Sequence, residues 1–233
     1  MKRIIKISLI LLLVGMAVIA TVPFLKEKRA EKKYENDFKK IQESVTEKKS
    51  DVNGLVKKNK DCIGYVEIPG TTISYPVMQK KDKPDFYLNH DFNRNYSFYG
   101  TPYLSAYCDV EKSDNLIIYG HNINGGKMFG ALEQYKDKEF FYKHRKIYFT
   151  TDKKREYEVF AVMCVNIHKF EYWKFVMAKD EKEYDEFVDK VEEHSSWRQE
   201  NKPKYGEQML MLSTCDNGKG DDWRIVVIGV MQQ

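Results

Sequence analysis

Three residues suited to joint chemistry each stand at the end of an apolar run. Cys215 closes Leu212-Ser213-Thr214-Cys215, and Arg224 opens Arg224-Ile225-Val226-Val227 just beyond a short acidic, glycine-containing loop. His121 comes where Asn115-Leu116-Ile117-Ile118-Tyr119 runs out into Gly120-His121-Asn122. A thiol attacks a carbonyl carbon only as thiolate, and a free pKa of about 8.5 leaves little of it ionised at neutral pH, so a cation beside it is required. Arg224 cannot be the base, because guanidinium keeps its proton, but its fork of donors suits the oxygen of a tetrahedral intermediate. His121 is left as general acid toward a leaving amine and then as base toward an incoming nucleophile. Taken singly, the Cys reads as a small buried hydrophobe and the His as an ordinary hydrogen-bonding residue. It is the conjunction of all three at strand ends that points to acyl transfer.

The rest of the composition narrows the alternatives. Lys and Arg total 39 against 35 Asp and Glu, and Lys2, Arg3 and Lys6 precede a leading apolar stretch, so the remainder is nearly neutral and a nucleic-acid partner is disfavoured. With 32% charged and 14% aromatic residues the chain has the means for a packed core under a polar surface, which argues against disorder along its length. Cys62, Cys108, Cys164 and Cys215 are widely spaced with no Cys-x-x-Cys pair, and the five histidines, His90, His121, His144, His168 and His194, form no helical pair. No metal and no cofactor are expected. Cys62, Cys108 and Cys164 are read as packed thiols, with a disulfide between two of them left open. In the loop Asp216-Asn217-Gly218-Lys219-Gly220-Asp221-Asp222, glycines occupy positions where a calcium loop needs carboxylates, so a solvated hairpin loop is expected.

The elements that must position these residues are short runs rich in β-branched and aromatic side chains, at 63–68, 72–77, 99–104, 115–119, 146–151, 156–165, 208–213 and 223–231. Eight strands predict a mainly β fold, a closed barrel or a sandwich. If the last two are neighbours, Cys215 and Arg224 face one another across the base of a hairpin. Helices are predicted over 127–135, carrying Met128, Phe129 and Leu132, and over 181–197, carrying Tyr184, Phe187, Val188 and Val191 after the N-cap Asp180 with Glu183 at the capping-box position. Both are expected to lie against the barrel wall. Upstream, Tyr34, Phe38, Ile41 and Val45 recur at helical spacing, and Asn53-Gly54 offers a stop. Residues 7–25 carry no charge and suffice to cross a hydrocarbon core of roughly 30 Å as a helix. They read as a membrane anchor rather than a cleaved signal. Three basic residues before the span against five just after it contradict an inside N-terminus by charge alone.

The chain resembles the class B sortases of Gram-positive bacteria. The resemblance runs from about residue 60 to 233 and rests on Ile68-Pro69-Gly70-Thr71, Ser74-Tyr75-Pro76-Val77, Tyr87-Leu88-Asn89, the stretch 116–122, Met128-Phe129, Leu212-Ser213-Thr214-Cys215 and Arg224-Ile225-Val226-Val227 in that order. It implies an eight-stranded sortase-type β-barrel with an N-terminal helical segment and a long helix between late strands. It implies a cysteine transpeptidase, of the thiol-peptidase class, that cleaves a C-terminal sorting signal of a secreted protein after Thr. The Thr is held as a thioacyl-enzyme on Cys215 and passed to a peptidoglycan amine, on lipid II or a cross-bridge. His121 and Arg224 match the other two catalytic positions. Ser213, Thr214, Tyr172, Trp173 and Asn89 match segments that meet the sorting peptide. The implied organisation is an anchor at 1–25, a helical stalk at 26–59 and a catalytic domain at 60–233 outside the cell membrane, with the N-terminus inside. Two other readings share the same sequence: a cysteine protease that only hydrolyses, and a membrane-tethered binding module without turnover.

Overall fold

β-branched and aromatic runs from residue 62 onward need neighbours for their backbone groups, and they find them by closing a sheet on itself. The computed structural model describes residues 52–232 and scattered positions between 15 and 39. The chain divides into two units, 1–44 and 45–233. In the first, the described positions are helical and exposed. The stripe Tyr34, Phe38, Ile41 and Val45 and much of the stretch 7–25 lie outside the described residues, and no helix among those described is long and apolar enough to cross a membrane.

The second unit opens with α1 (Val52–Lys58), then β1 (Cys62–Glu67), β2 (Ser74–Met78), a 3-10 turn at Phe86–Leu88, β3 (Tyr103–Leu104) and β4 (Asn115–Tyr119). A small hairpin, β5 (Asn122–Ile123) and β6 (Lys127–Met128), leads into a 3-10 segment at Phe129–Lys136, α2 (Lys138–Lys143), β7 (Lys146–Thr150) and the long β8 (Lys154–Asn166). A 3-10 turn at Tyr172–Lys174, α3 (Glu181–Glu193), β9 (Ser195–Arg198), β10 (Met209–Cys215) and β11 (Trp223–Met231) complete it.

The sheet runs β11-β10-β4-β3-β2-β1-β7-β8, and β8 returns to β11, giving a closed mixed barrel of eight strands. The pairs β10–β4 and β2–β3 are parallel. β9 lies outside the closure, continuing along the edge of β8 past the point where β7 ends. Leu210 and Leu212 on β10 stand opposite Leu116 and Ile118 on β4, and Leu212 stands opposite Val227 on β11. All are wholly buried, each such side chain contributing roughly 1.5–3 kcal/mol. The opposite face of these strands is covered by the segment after β8. Asn115 donates to the carbonyl of Phe175 at 2.8 Å, and Phe175 stacks on Phe187 of α3 with centroids 3.8 Å apart.

Several predicted elements are corrected. Asn53-Gly54 does not stop a helix but lies inside the first turn of α1. The run 99–104 pairs only at Tyr103–Leu104. The predicted helix 127–135 begins as β6 and continues as a 3-10 segment, although Phe129, Ala131, Leu132 and Tyr135 are buried as an amphipathic face requires. The predicted helix 181–197 ends at Glu193, and Ser195–Arg198 is a strand on β8. Asp180 caps α3 by accepting from Glu183 N at 2.9 Å, but Glu183 reaches past the cap to Lys179 N at 2.8 Å rather than closing a capping box.

Candidate active site

Backbone register places the three predicted catalytic residues at one end of the barrel. In the antiparallel β10–β11 pair Cys215 stands opposite Arg224 and Ser213 opposite Val226. In the parallel β10–β4 pair Ser213 stands opposite Tyr119, which itself stands opposite Tyr103 on β3. Side chains alternate with period 2, so Cys215, Arg224, Ser213, Tyr119 and Tyr103 share one face. Beyond β4 the pairing continues through Gly120 N to Ser213 O at 3.1 Å, and Thr214 Oγ1 donates to Gly120 O at 2.7 Å. His121 is thereby strapped beside the strand that ends in Cys215. Cys215, His121 and Arg224 are all half-buried.

Each polar side chain has its own holder. His121 Nε2 lies 2.8 Å from the carbonyl oxygen of Leu88. A carbonyl only accepts, so Nε2 carries the hydrogen and Nδ1 is left for proton exchange. Phe98, 71% exposed, lies parallel to the imidazole at a centroid distance of 6.4 Å. The Leu88 carbonyl is reachable because the chain folds back at Gly100 with φ +59°; a Cβ there would sit 2.4 Å from Leu88 O and 2.7 Å from Tyr87 O. Arg224 uses Nη1 to donate to Asp221 O at 2.6 Å and Trp223 O at 2.9 Å, which leaves its other nitrogens for a ligand. Among the described residues no hydrogen bond or ion pair joins the three side chains to one another. It is the strand ends that bring them together.

The floor beside them is tyrosine. Tyr103 and Tyr119 approach with centroids 5.5 Å apart, and Tyr103 donates to Asp85 Oδ1 at 3.2 Å. Burial pushes the Tyr103 phenol up, Asp85 pushes it further, and Arg224 pulls it back. Tyr172 is pushed up to about 12, chiefly by burial, against its 2.7 Å bond with Ser213 Oγ. The expected peptide-contacting residues therefore divide. Ser213, Thr214 and Tyr172 are buried, with their hydroxyls engaged within the protein. Trp173 is half-buried, its ring edge-to-face with Tyr172, and Asn89 is exposed, so of the five these two keep access to solvent.

All four cysteines are free. Burial pushes Cys62 up to about 12 and Cys108 to about 11, and raises Cys164 as well, so these three are poor nucleophiles. Among the described residues no group of three His, Cys, Asp or Glu is placed to hold a metal ion. An open basin of about 1620 Å³ lined by Arg145, Glu158, Asp189, Arg198 and Lys202 contains none of the predicted site residues.

The sequence reading missed four residues around the site. Asp216 belongs to a loop expected to be solvated, yet it is wholly buried and paired with Lys136 Nζ at 2.7 Å. Glu133 holds the same ammonium at 2.6 Å, and Asn122 donates to both Glu133 and the Cys215 carbonyl. Partners this far apart in sequence carry no local signal. The one hint was the adjacency of Asn122 to His121 and of Asp216 to Cys215.

Comparison with known proteins follows the same geometry. A family model described as Sortase domain matches residues 66–232. Sortase B of Staphylococcus aureus is 28% identical, covering 98% of this chain and 96% of its own length. Sortase B of Listeria monocytogenes serovar 1/2a is 31% identical, covering 78% and 74%. Among solved structures, a Staphylococcus aureus sortase B–substrate complex matches with a TM-score of 0.77 at 26% identity, covering 90% of this chain and 99% of that one. Clostridium perfringens sortase B matches at 0.72 and 27%, covering 78% and 99%. A family model spanning most of the barrel, with a relative at 31% identity over most of the chain, is decisive: the chain belongs to the sortases, cysteine transpeptidases of the cell envelope, and within them to class B.

Proposed function

We propose that Cys215 is the nucleophile that opens a sorting signal after its Thr, with His121 and Arg224 completing the site. The observation that carries this is the register of Cys215 opposite Arg224, with Gly120 strapped to the same strand one residue before His121. The Cys215 thiolate adds to the Thr carbonyl carbon. Nη2 or Nε of Arg224 donates to the oxygen that gains charge. Collapse breaks the C–N bond, and the protonated His121 gives a hydrogen to the departing amine through Nδ1, since Nε2–H is committed to Leu88 O. The thioacyl carbon then takes a cell-wall amine, whose proton passes to His121 as Cys215 leaves as thiolate. The peptide runs past Trp173 and Asn89, while Tyr172, Ser213 and Thr214 shape the groove from beneath. Residues 7–25 act as a single-pass anchor, with residues 26–59 as stalk and 60–233 as the catalytic domain outside the membrane.

The test is product analysis on the full chain with fluorogenic sorting peptides of the Asn-Pro type and the Ser/Pro-Pro-x-Thr-Gly type, each with and without an amine acceptor. Transfer predicts a joined product with acceptor and loss of all turnover in Cys215→Ala without loss of fold. Cleavage that acceptor never diverts identifies a protease. Parent and Cys215→Ala behaving alike identifies a binding module.

A further inference from the structure

A line of polar contacts runs behind the three candidate catalytic residues. Asn122, the residue after His121, donates through Nδ2 to the carbonyl oxygen of Cys215 at 2.7 Å and to Glu133 Oε1 at 2.7 Å. Both amide hydrogens are thereby used. The orientation of the amide is forced, because a carbonyl and a carboxylate both only accept and the side-chain oxygen would repel each. Glu133 Oε2 lies 2.6 Å from Lys136 Nζ, and that ammonium lies 2.7 Å from Asp216 Oδ1. Asp216 follows Cys215 directly, and its Oδ1 also accepts from Gly218 N at 3.2 Å. Asn217 Nδ2 returns to Asn122 O at 3.2 Å, and Trp197 Nε1 fixes the Lys136 carbonyl at 3.1 Å.

These contacts grip the peptide unit that follows Cys215 from both of its ends. The unit after Cys215 offers its N–H to Trp223 O at 2.9 Å within the hairpin, while its carbonyl, that of Cys215, is met by Asn122 from the segment that carries His121. Asn122 thereby ties the backbone at Cys215 to the segment that carries His121. Glu133, tied to Lys136 and through it to Asp216, takes the second amide hydrogen and so fixes the orientation of the amide. Gly130 makes room for the arrangement, since a Cβ there would sit 2.3 Å from Ile123 O and 3.2 Å from Asn122 Oδ1.

We infer that Asn122 is a positioning residue whose amide, oriented by Glu133, locks the Cys215 carbonyl and so fixes the nucleophile relative to His121. The inference rests on Cys215 being the nucleophile. Losing the amide leaves the thiol present and accessible but misplaced, so the chemical step slows while peptide affinity is kept. A displacement of about 1 Å at a reacting atom costs on the order of 100-fold in rate.

Four versions of the full chain test this: parent, Asn122→Ala, the isosteric Asn122→Asp, which cannot donate when ionised, and Asn122→Asp with Glu133→Gln. Each is assayed for kcat and KM on the two fluorogenic sorting peptides and for Cys215 alkylation by iodoacetamide, read by peptide mass spectrometry. Thermal melts establish the folded fraction. The expected result is kcat lowered about 10- to 100-fold in both single variants at near-parent KM, with Cys215 still alkylated. The double variant regains a bond between 122 and 133, donated by the Gln amide, but not the donor to Cys215 O, and stays slow. Should Asn122→Ala fail to fold, Asn122→Asp and Gly130→Ala, which pushes the same segment from outside, carry the test. Parent kcat in the single variants, a loss confined to KM, or recovery in the double variant overturns the inference while leaving the proposed function standing. A parent that cleaves neither peptide while Cys215 alkylates overturns the proposed function, and the inference with it.

Discussion

Gly100→Ala is the sharpest probe of how His121 is held, because the substituted atom meets the carbonyl that accepts from the imidazole. Two costs add. At φ +59° a residue with a Cβ is strained by about 1–2 kcal/mol. The new methyl would lie 2.4 Å from Leu88 O, so that carbonyl must move, an overpacking cost of about 1–3 kcal/mol. The sum, about 2–5 kcal/mol, corresponds to a melting point lower by about 4–20 °C at 2–4 °C per kcal/mol for a domain of this size. Gly206→Ala separates the two terms, since Gly206 has φ +92° but nothing within 4 Å of its Cβ position, and it pays for strain alone. Displacing the Leu88 carbonyl also turns the imidazole, so Gly100→Ala should lose about 10- to 100-fold in kcat while Gly206→Ala keeps the parent value. Melts followed by circular dichroism and turnover of a sorting peptide read both effects. Equal melting points for the two variants, together with parent kcat in Gly100→Ala, would refute the reasoning.

Arg224→Lys should fail to restore the parent rate, because an ammonium lacks the fork that can hold Asp221 O and Trp223 O while donating to an oxyanion; near-parent kcat removes Arg224 from that role. Lys136→Met leaves the Asp216 carboxylate buried without its cation and should destabilise by about 3 kcal/mol, the low end for a broken buried pair because Lys136 is partly exposed. The Lys136 pKa is raised in the folded protein: desolvation is the largest single influence and lowers it, but the bonds to Asp216 and Glu133 together outweigh it. Its stabilisation is therefore complete below the ordinary lysine range and is lost as pH climbs through the raised value. Melts of parent and Lys136→Met between neutral and strongly alkaline pH should converge at the alkaline end, and a constant gap contradicts the pairing. Iodoacetamide at neutral pH should label Cys215 well before Cys62 and Cys108, whose burial holds their thiols protonated; equal labelling by mass spectrometry of the native protein would contradict that burial.

What the sequence disclosed follows the range over which its signals act. The strands 115–119 and 223–231 were legible to the residue, because β-branched runs bounded by Asp114 and Gly120, or by Asp222, leave little freedom. The facing of Cys215 and Arg224 followed from the hairpin that joins them. Legibility failed where a local pattern fits two structures. Met128, Phe129 and Leu132 suit one helical face, but Met128 has a positive φ of 52°, which breaks an α-helix before it starts. Trp197 lies off the apolar face of Tyr184 to Val191; the helix ends at Glu193, and the Trp197 indole donates to the Lys136 carbonyl from the strand that follows. Asp216 sits among Gly and Asp residues that read as a solvated loop, and the lysine that draws it inward is 80 residues away.

The manner in which His121 is held bears on the chemistry itself. Its Nε2–H meets a neutral carbonyl, not a carboxylate, so among the described residues no carboxylate is bonded behind the ring to stabilise a positive imidazolium. Asp216, the carboxylate next to the nucleophile, is already balanced by Lys136 and wholly buried, and cannot take that part. In the proposed mechanism the countercharge to an imidazolium at this rim is the thiolate of Cys215, and Arg224, opposite it on β11, has Nη2 and Nε left to serve the oxygen of the acyl group. Catalysis on such a site depends on holding sulfur and imidazole at a fixed separation without an ionic tether between His121 and a third residue. The backbone contacts at Gly120, Ser213, Leu88 and the Cys215 carbonyl supply that constraint, and the end of a closed barrel, where strands from three parts of the chain terminate together, is a place where they can all be made at once.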